Sequence, residues 1–484
     1  MIRKSHLAVC VGLFLTACAV GPDYERPDVP TPAQFKEFGA WKAAEPRDDV
    51  PRGKWWEVYG DPVLNELAER VAISNQNVAI AEAQYRQALA ALGIASASMF
   101  PTLGGNFSRT RTQGVSSAMP SSVSGSTITP GSPIREVDRL TFNVAWELDV
   151  WGRVRRNVEA GETTAAASGA DLEAALLSAR AALVQSYLQL RINEAQRRLL
   201  DETVVAYERS LEIARNRYDA GVVGRIDVVQ AETQLKTTRA QALDLGIQRA
   251  QLEHAIALLV GAAPPDFSLP VTARLPDLPS IPAGLPSDLL ERRPDIAAAE
   301  RRVASANAQI GVVQAAYFPA LTLSSSGGYQ SSTGISDLIM LPNRFWAFGP
   351  ALALAFFDGG ARSAQKDQAI AGYDRSVATY RQTVLTAFQE VEDNLAALRI
   401  LDEEADVQRE AVDFAAESLR LTYNQYDSGI VSYLNVVTAQ TTSLATERVQ
   451  IELKGRKLLA SLALLKAIGG EWGAGDRNQE TGDR

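Results

Sequence analysis

A phrase of twelve residues occurs twice in this chain, far apart. Residues 218–229 read YDAGVVGRIDVV, and 208 residues further on, residues 426–437 read YDSGIVSYLNVV. The segments ASASMFPTL at 95–103 and VQAAYFPAL at 313–321 form a second matching pair. Self-similarity at a long, nearly constant spacing predicts two structural repeats built on one plan. Length alone would have suggested three domains.

Each copy of the phrase interrupts a long stretch of helical periodicity. No proline occurs between Gly152 and Ala220 or between Gly360 and Ser428, and apolar residues recur at alternating spacings of three and four. A helix of this length spans roughly 100 Å at 1.5 Å per residue. A second helix follows each phrase, over 225–261 and 433–468. The phrase is therefore predicted to be the turn of an αα-hairpin, and Gly221 and Gly429 suit a helix end that needs a positive φ.

Four strands are predicted between the helices, at about 102–112, 139–150, 320–330 and 345–357. Strict alternation in LTFNVAWELDV at 140–150 predicts one apolar face and one polar face. The apolar face, predicted to contact lipid, comprises Leu140, Phe142, Val144, Trp146 and Leu148. Glu147 and Asp149 are predicted to face water in a lumen.

A half-buried sheet of a soluble protein would alternate in the same way. Strands of about ten residues with aromatic ends are also typical of a transmembrane barrel. Four strands cannot close a barrel in lipid, because an open edge leaves backbone groups unpaired. Three chains would supply twelve strands, so the barrel is expected to be shared.

The first residues have the pattern of a secretory signal. Arg3 and Lys4 precede a short apolar run, which ends in the sequence LTAC at 15–18. That run is too short to span a bilayer as a helix. An ordinary signal with a chance cysteine is one interpretation; a lipoprotein signal of residues 1–17, with Cys18 acylated, is the preferred one. The residue after Cys18 is Ala19 rather than an aspartate. This resembles the signal that sorts lipoproteins to the outer membrane of a Gram-negative cell.

The composition gives little support to catalysis or to nucleic-acid binding. The formal net charge is −9, whereas a nucleic-acid partner requires a basic surface. Cys10 and Cys18 are the only cysteines, and beyond the signal the one histidine is His254 on a predicted helix. No nucleophile–base, zinc or phosphate-binding motif is found. We therefore expect no enzymatic activity, no metal, and no cofactor apart from the lipid on Cys18.

Four motifs together resemble those of TolC-like outer-membrane efflux proteins, specifically the lipoprotein branch called NodT-type or OprM-like. They are GPDYERP at 21–27, WWEVYGDPVLNEL at 55–67, RRPDIAAAERRVASANAQIG at 292–311, and the duplicated YDxG turns. The resemblance implies a mixed α and β membrane protein that forms a homotrimer. Its shared twelve-stranded outer-membrane β-barrel, four strands from each chain, would continue into a long periplasmic α-helical coiled-coil barrel.

The resemblance also implies a division of the chain. Residues 1–17 would be the signal, 18–61 a lipidated tether with an equatorial segment, 62–262 the first repeat, 263–287 a linker, 288–470 the second repeat and 471–484 a polar tail.

The implied function is the exit duct of a tripartite efflux system. The duct would passively export small molecules received from an inner-membrane RND-type pump through a periplasmic adaptor. Two alternatives stay open: a duct for an ABC-type exporter, and a lipid-anchored coiled-coil scaffold without a pore. The scarcity of methionine and histidine disfavours soft-metal substrates.

By the same resemblance, the two hairpin tips close the resting channel at its periplasmic end. Asp227 and Tyr426 stand where relatives have an aspartate and a tyrosine of the aperture. Val223 and Val431 follow the two glycines, and some relatives have a charged residue at the second of these positions. We therefore expect an apolar constriction here, supported by the polar side chains of Arg225 and Asp227.

Overall fold

A computed structural model of the chain describes residues 19–29, 53–113, 134–272, 274–279 and 293–470. Within these ranges the chain forms seven α-helices and four β-strands. The helices are α1 (Pro62–Ser74), α2 (Gln76–Ala97), α3 (Arg153–Asp219), α4 (Arg225–Leu259), α5 (Pro294–Ala315), α6 (Ala361–Asp427) and α7 (Tyr433–Ala467). The strands are β1 (Thr102–Gln113), β2 (Ile134–Leu148), β3 (Ala320–Ser331) and β4 (Arg344–Ala353).

The predicted repeat is visible in the order and length of these elements. In each half, two antiparallel strands precede a helix of 67 residues, and a helix of 35 residues follows the YDxG turn. At 1.5 Å per residue, each long helix extends about 100 Å. None of the helices in the described ranges has both the length and the apolar character needed to cross a membrane.

The elements fall into two compact units. The sheet unit is formed by the described residues within Met1–Arg26, Gln87–Ala165 and Arg301–Val377. The helical unit is formed by those within Pro27–Arg86, Ala166–Glu300 and Ala378–Arg484.

In the sheet unit, the four strands form one antiparallel sheet in the order β1-β2-β3-β4. Each strand pairs with the next in sequence, so β1 and β4 are the edge strands. β2 ends at Leu148, and the carboxylate of Asp149 accepts hydrogen bonds from the backbone N–H groups of Val154 and Arg155, both at 2.9 Å. These N–H groups belong to the first turn of α3 and have no partner within the helix, so Asp149 sets where the helix begins.

In the helical unit, a core lies where the segments that flank the two repeats meet. Trp55 and Trp56 are almost fully buried, and they belong to one cluster with Leu183 and Leu465. The backbone approaches closely here, because a side chain at Gly470 would meet the indole of Trp55 at 3.0 Å. The WWEVYGD motif therefore belongs to the packing that joins the two halves.

A buried polar network fixes the linker after α4. Arg191 donates hydrogen bonds to Glu194 (2.7 Å) and to the backbone carbonyl of Pro270 (3.1 Å), while Glu194 accepts one from the Thr272 N–H (3.1 Å). The side chains of Arg191 and Glu194 are each only 1% exposed to solvent. Removing one partner of a buried ion pair leaves an uncompensated charge, so this pair and its bonds to the linker backbone hold the linker against α3.

Candidate channel site

Both hairpin tips have the same backbone geometry. Gly221 and Gly429 have φ angles of 75° and 74°. At each tip the glycine N–H bonds back to the tyrosine carbonyl of the phrase, and the next N–H bonds to the carbonyl five residues earlier. This is the Schellman arrangement, in which a left-handed residue ends a helix. No heavy atom lies within 4 Å of a side chain placed at either glycine, so φ alone explains the preference for glycine.

Beneath the tips, residues of both hairpins form one apolar cluster. Its buried members are Tyr207, Leu211, Ala214, Ala231, Leu235, Tyr426, Tyr433 and Val436. The rings of Tyr426 and Tyr433 meet edge to face, with centroids 5.4 Å apart. Beside this cluster, a polar contact joins α3 to α6, because the hydroxyls of Ser210 and Tyr423 are 2.8 Å apart.

Arg217 links the first hairpin to the second. Its guanidinium lies 4.4 Å from the centroid of the Tyr426 ring and donates a hydrogen bond to the Tyr426 carbonyl at 3.1 Å. The carboxylate of Asp427 is 3.7 Å away. These contacts combine a cation–π interaction with a cation at the C-terminal end of α6, and both stabilise the association of the hairpins.

Asp227 lies at the start of α4 and is partly buried. Burial raises the pKa of its carboxyl above the ordinary 3.8, while the positive charge of Arg217 acts in the opposite direction. Arg225, two residues earlier, is exposed. The two predicted polar residues of the tip therefore differ in environment: Asp227 is near Arg217, and Arg225 points to solvent.

The structure places Val223 and Val431 in half-buried positions. Val431 packs against the cluster beneath the tips. The exposed apolar side chains of the tips are their neighbours Val222, Ile226, Ile430 and Leu434, with exposures of 64%, 62%, 73% and 54%. If an apolar constriction closes the channel, these four side chains are better placed to form it than the two valines.

The sheet separates an apolar face from a polar face across all four strands. Directly paired residues lie on the same face, so the register assigns every residue. The apolar face includes Leu103, Phe107, Leu140, Phe142, Val144, Trp146, Leu148, Leu321, Leu323, Trp346, Phe348 and Leu352. The polar face consists chiefly of Gly, Ala, Ser, Thr, Asn and Gln. The five residues predicted to contact lipid therefore share one face, and Glu147 lies on the other.

Glu147 and Asp149 differ in a way that the alternation did not predict. Glu147 is in β2 and accepts a hydrogen bond from Arg153 at 2.8 Å. Asp149 lies beyond the strand, where it bonds to the first turn of α3 and to the Arg155 side chain at 3.1 Å. The alternating pattern continues through Asp149, but capping of the helix takes precedence over strand pairing there.

Several predicted features lie outside the described residues. They are the signal at 1–17, Cys18, the tail at 471–484 and parts of the equatorial segments 18–61 and 263–287. Among the residues that are described, no group of His, Cys, Asp and Glu side chains is suited to hold a metal ion. His254 is exposed on α4.

Residues that matter at the tips but were not predicted are Arg217, Ser210, Tyr423 and Tyr433. Three of the four left a signal in the sequence, since Tyr423 and Tyr433 stand where the first copy has Arg215 and Arg225. Arg217 left the plainest one. It immediately precedes the first phrase, and the second copy has Gln425 at the matching position. A charge present in one copy of a repeat and absent from the other marks a position where the two copies differ in their contacts.

Comparison with known proteins gives one family. The model of the outer membrane efflux protein family matches residues 67–262 and 285–470. The toluene efflux pump outer membrane protein TtgC of Pseudomonas putida is 31% identical over 99% of this chain and 98% of its own. The cation efflux system protein CusC of Escherichia coli is 29% identical over 96% of this chain and 98% of its own.

Solved structures agree with the family match. The outer-membrane channel OprN superposes with a TM-score of 0.85 at 29% identity, covering 94% of this chain and all of that one. The predicted fold class is thereby confirmed. The chain belongs to the outer membrane efflux protein family.

Proposed function

We propose that the protein is the outer-membrane exit duct of a tripartite efflux system. Three copies form a twelve-stranded barrel in the outer membrane and a helical tunnel in the periplasm. Small molecules pass through this duct passively, without energy input from the protein itself. They reach the duct from an inner-membrane pump of the RND type through a periplasmic adaptor.

The observation that carries this proposal is the sheet with two free edges and an exposed apolar face. In the single chain, β1 and β4 each have one unpaired edge. Trp346 and Phe348 on the apolar face are 77% and 63% exposed. In lipid such a face is favourable, but an unpaired backbone edge is not. Pairing β4 of one copy with β1 of the next satisfies both requirements.

A second exposed apolar surface supports assembly in the helical unit. The row along α6 repeats every seven residues: Ile400, Val407, Phe414 and Leu421. Val407 and Phe414 are 71% and 72% exposed. A heptad row of this kind is the seam of a coiled coil, so it supports packing against a helix of the neighbouring copy.

The lipid on Cys18 is part of the proposal. The residues that follow it are held at the end of the sheet where α3 begins: the Val20 N–H donates to the Trp151 carbonyl at 3.0 Å, and Ala19 contacts Gly152. This would place a lipid chain beside the membrane-facing sheet. Mass spectrometry of the mature N-terminus should show an acylated cysteine, and Cys18→Ser should remove the added mass. An unmodified residue 18 would contradict this part.

The names of relatives suggest the kinds of substrate. TtgC is named for toluene efflux and CusC for cation efflux. The scarcity of methionine and histidine here favours small organic molecules over soft-metal cations. The lipoprotein signal and the GPDYERP start favour an RND-type pump over an ABC-type exporter; copurification with the cognate adaptor and pump would decide between them.

The experiment for the duct itself is reconstitution. Purified protein should migrate as a trimer and give discrete conductance steps in planar lipid bilayers. A lipid-anchored scaffold without a pore would give trimers or monomers with no conductance. That outcome would contradict the proposed function.

A further inference from the structure

The two faces of the sheet differ in their charged residues. The apolar face has five, of which four form ion pairs with one another, and the fifth is Arg344 at the start of β4. On the apolar face, Arg109 lies 3.2 Å from Glu136 and 3.4 Å from Asp138, and Arg111 lies 3.4 Å from Glu136. On the polar face, the charged residues of the four strands are Arg135, Arg139 and Glu147.

Only one of these three polar-face charges has an opposite charge beside it. Glu147 is bonded to Arg153 near the end of β2. Within the described part of the chain, no carboxylate lies within ion-pair distance of Arg135 or Arg139. The polar face of each chain therefore has two uncompensated positive charges at one end, although the whole chain has a formal charge of −9.

Arg139 is held in a fixed position by neutral groups. Its Nε donates a hydrogen bond to the Gln330 side-chain oxygen at 2.9 Å, and its guanidinium lies 5.4 Å from the Phe345 ring centroid. These contacts come from β3 and β4, the two strands beyond β2 in the sheet. They orient the guanidinium, and neither contact supplies a negative charge that would neutralise it.

The loops at this end offer little opposite charge. Residues 114–133, between β1 and β2, contain no charged residue. Between β3 and β4 the only acidic residue is Asp337, which accepts a hydrogen bond from the Thr333 hydroxyl at 3.1 Å. The end of the sheet away from the helices is thus cationic on its polar face.

We propose that Arg139, together with Arg135, forms a cationic ring at the outer end of the channel, which selects for anions. The inference rests on the proposed function, in which the polar face lines the lumen. Three copies bring six arginines to the outer end of the pore as two rings of three, since Arg135 and Arg139 are about 13 Å apart along one strand at 3.3 Å per residue. A ring of fixed positive charge in a narrow aqueous pore raises the local concentration of anions and excludes cations. The substrate class favoured at this exit is small organic anions such as carboxylates and sulfonates.

The test is ion selectivity of the reconstituted full-length trimer. The reversal potential in a KCl gradient gives the ratio of chloride to potassium permeability. Arg139→Gln should lower this ratio about threefold, which corresponds to a change of roughly half a kT in the electrostatic energy of a unit charge at the ring, because the potential acts in opposite directions on the two ions. The Arg135→Gln/Arg139→Gln double variant should lower the ratio further. Arg139→Lys, which keeps the charge, should keep most of the selectivity. The difference should fade near 1 M salt, where the Debye length is about 3 Å.

Arg111→Gln is the matched control. It removes the same charge at the same end of the sheet, but from the apolar face, and should leave the permeability ratio unchanged. An unchanged ratio in the double variant would overturn the proposal, as would an equal shift in Arg111→Gln or a loss in Arg139→Lys as large as in Arg139→Gln. A wild-type trimer that does not conduct at all would instead contradict the proposed duct function, so the two failures are distinguishable.

Discussion

The two hairpin tips share their backbone but differ in their side-chain environments. Gly221 and Gly429 adopt φ angles within one degree of each other, 75° and 74°. The tyrosines that begin the two phrases do not match: Tyr218 is 43% exposed, whereas Tyr426 is 4% exposed. The repeat has kept the geometry that ends a long helix, and the two copies have diverged in what surrounds that turn.

The divergence makes the tips complementary rather than equivalent. The first hairpin supplies a cation, Arg217, and the second supplies the ring and the helix end that receive it, at Tyr426. The second copy has Gln425 where the first has Arg217, and Asn435 where the first has Asp227. Substitutions that copy one tip onto the other therefore test whether the tips are interchangeable.

The largest expected difference concerns the two tyrosines. Tyr426→Ala removes a buried aromatic ring from the cluster beneath the tips and should destabilise the tip by about 3 kcal/mol. Tyr218→Ala removes the equivalent exposed ring and should change stability by less than about 0.5 kcal/mol. Hydrogen exchange of amides in the last turns of α3 and α6 would measure both.

A control variant separates the ring from its hydroxyl. Tyr426→Phe keeps the packing and the contact with Arg217, so it should retain most of the protection against exchange. Equal effects of Tyr426→Ala and Tyr218→Ala would show that the tips are equivalent after all.

The next largest effect is expected at Arg217. Arg217→Gln copies the second tip and removes the cation–π contact, the bond to the Tyr426 carbonyl and the attraction to Asp427. A loss of roughly 1.4 kcal/mol in the association of the hairpins would raise resting conductance about tenfold. Arg215→Gln is the matched control, because Arg215 pairs with Glu232 in an exposed ion pair within the first hairpin. Resting conductance that is the same in both variants would contradict the role of Arg217.

A smaller and symmetrical effect is expected at the two glycines. Alanine at either position must adopt a left-handed φ, which costs about 1 kcal/mol. Since neither site contacts other atoms, Gly221→Ala and Gly429→Ala should lower thermal stability equally. A clear difference in thermal stability between the two variants would mean that one of the two tips contacts another protein chain.

The sequence predicted these shared features well and the divergent ones poorly. The helix predicted over 152–220 is Arg153–Asp219, and the one over 360–428 is Ala361–Asp427, because a periodic pattern and a glycine turn are local signals. β2 was predicted to start at 139, yet it starts at Ile134. Charged residues interrupt its alternation, and their pairing with Arg109 and Arg111 on β1 appears only in the register.

Contacts between the hairpins were beyond the reach of sequence patterns. Arg217 and Tyr426 are 209 positions apart, and nothing local in either segment specifies the other. The half-buried position of Val431 was likewise unpredicted, since its neighbour Ile430 is equally apolar and takes the exposed side of the turn. The family match confirms the predicted outer-membrane location and transport function, whereas the roles of individual tip residues stay predictions.

The smallest expected effect distinguishes the tips by pH. Asp227 has a pKa raised above 3.8, chiefly by burial, so the folded tip favours its protonated form relative to the unfolded chain. The stabilisation of the folded tip that comes from this pKa shift is fully present below pH 3.8. It is lost as the pH rises through the folded-state pKa of Asp227. The second tip has Asn435, which does not titrate, at the matching position.

Asp227→Asn copies that position and should abolish this pH dependence, leaving the tip slightly more stable at neutral pH than in the wild type. The nearby charge of Arg217 reduces the gain, because a neutral residue 227 also forgoes its attraction to that arginine. Hydrogen exchange at the start of α4, followed from pH 4 to pH 7 with Asn435→Asp as the reciprocal variant, measures the effect. If wild type and Asp227→Asn show the same pH profile, then Asp227 is solvated in the assembled trimer, and Arg217 and the exposed apolar side chains alone distinguish the first tip from the second.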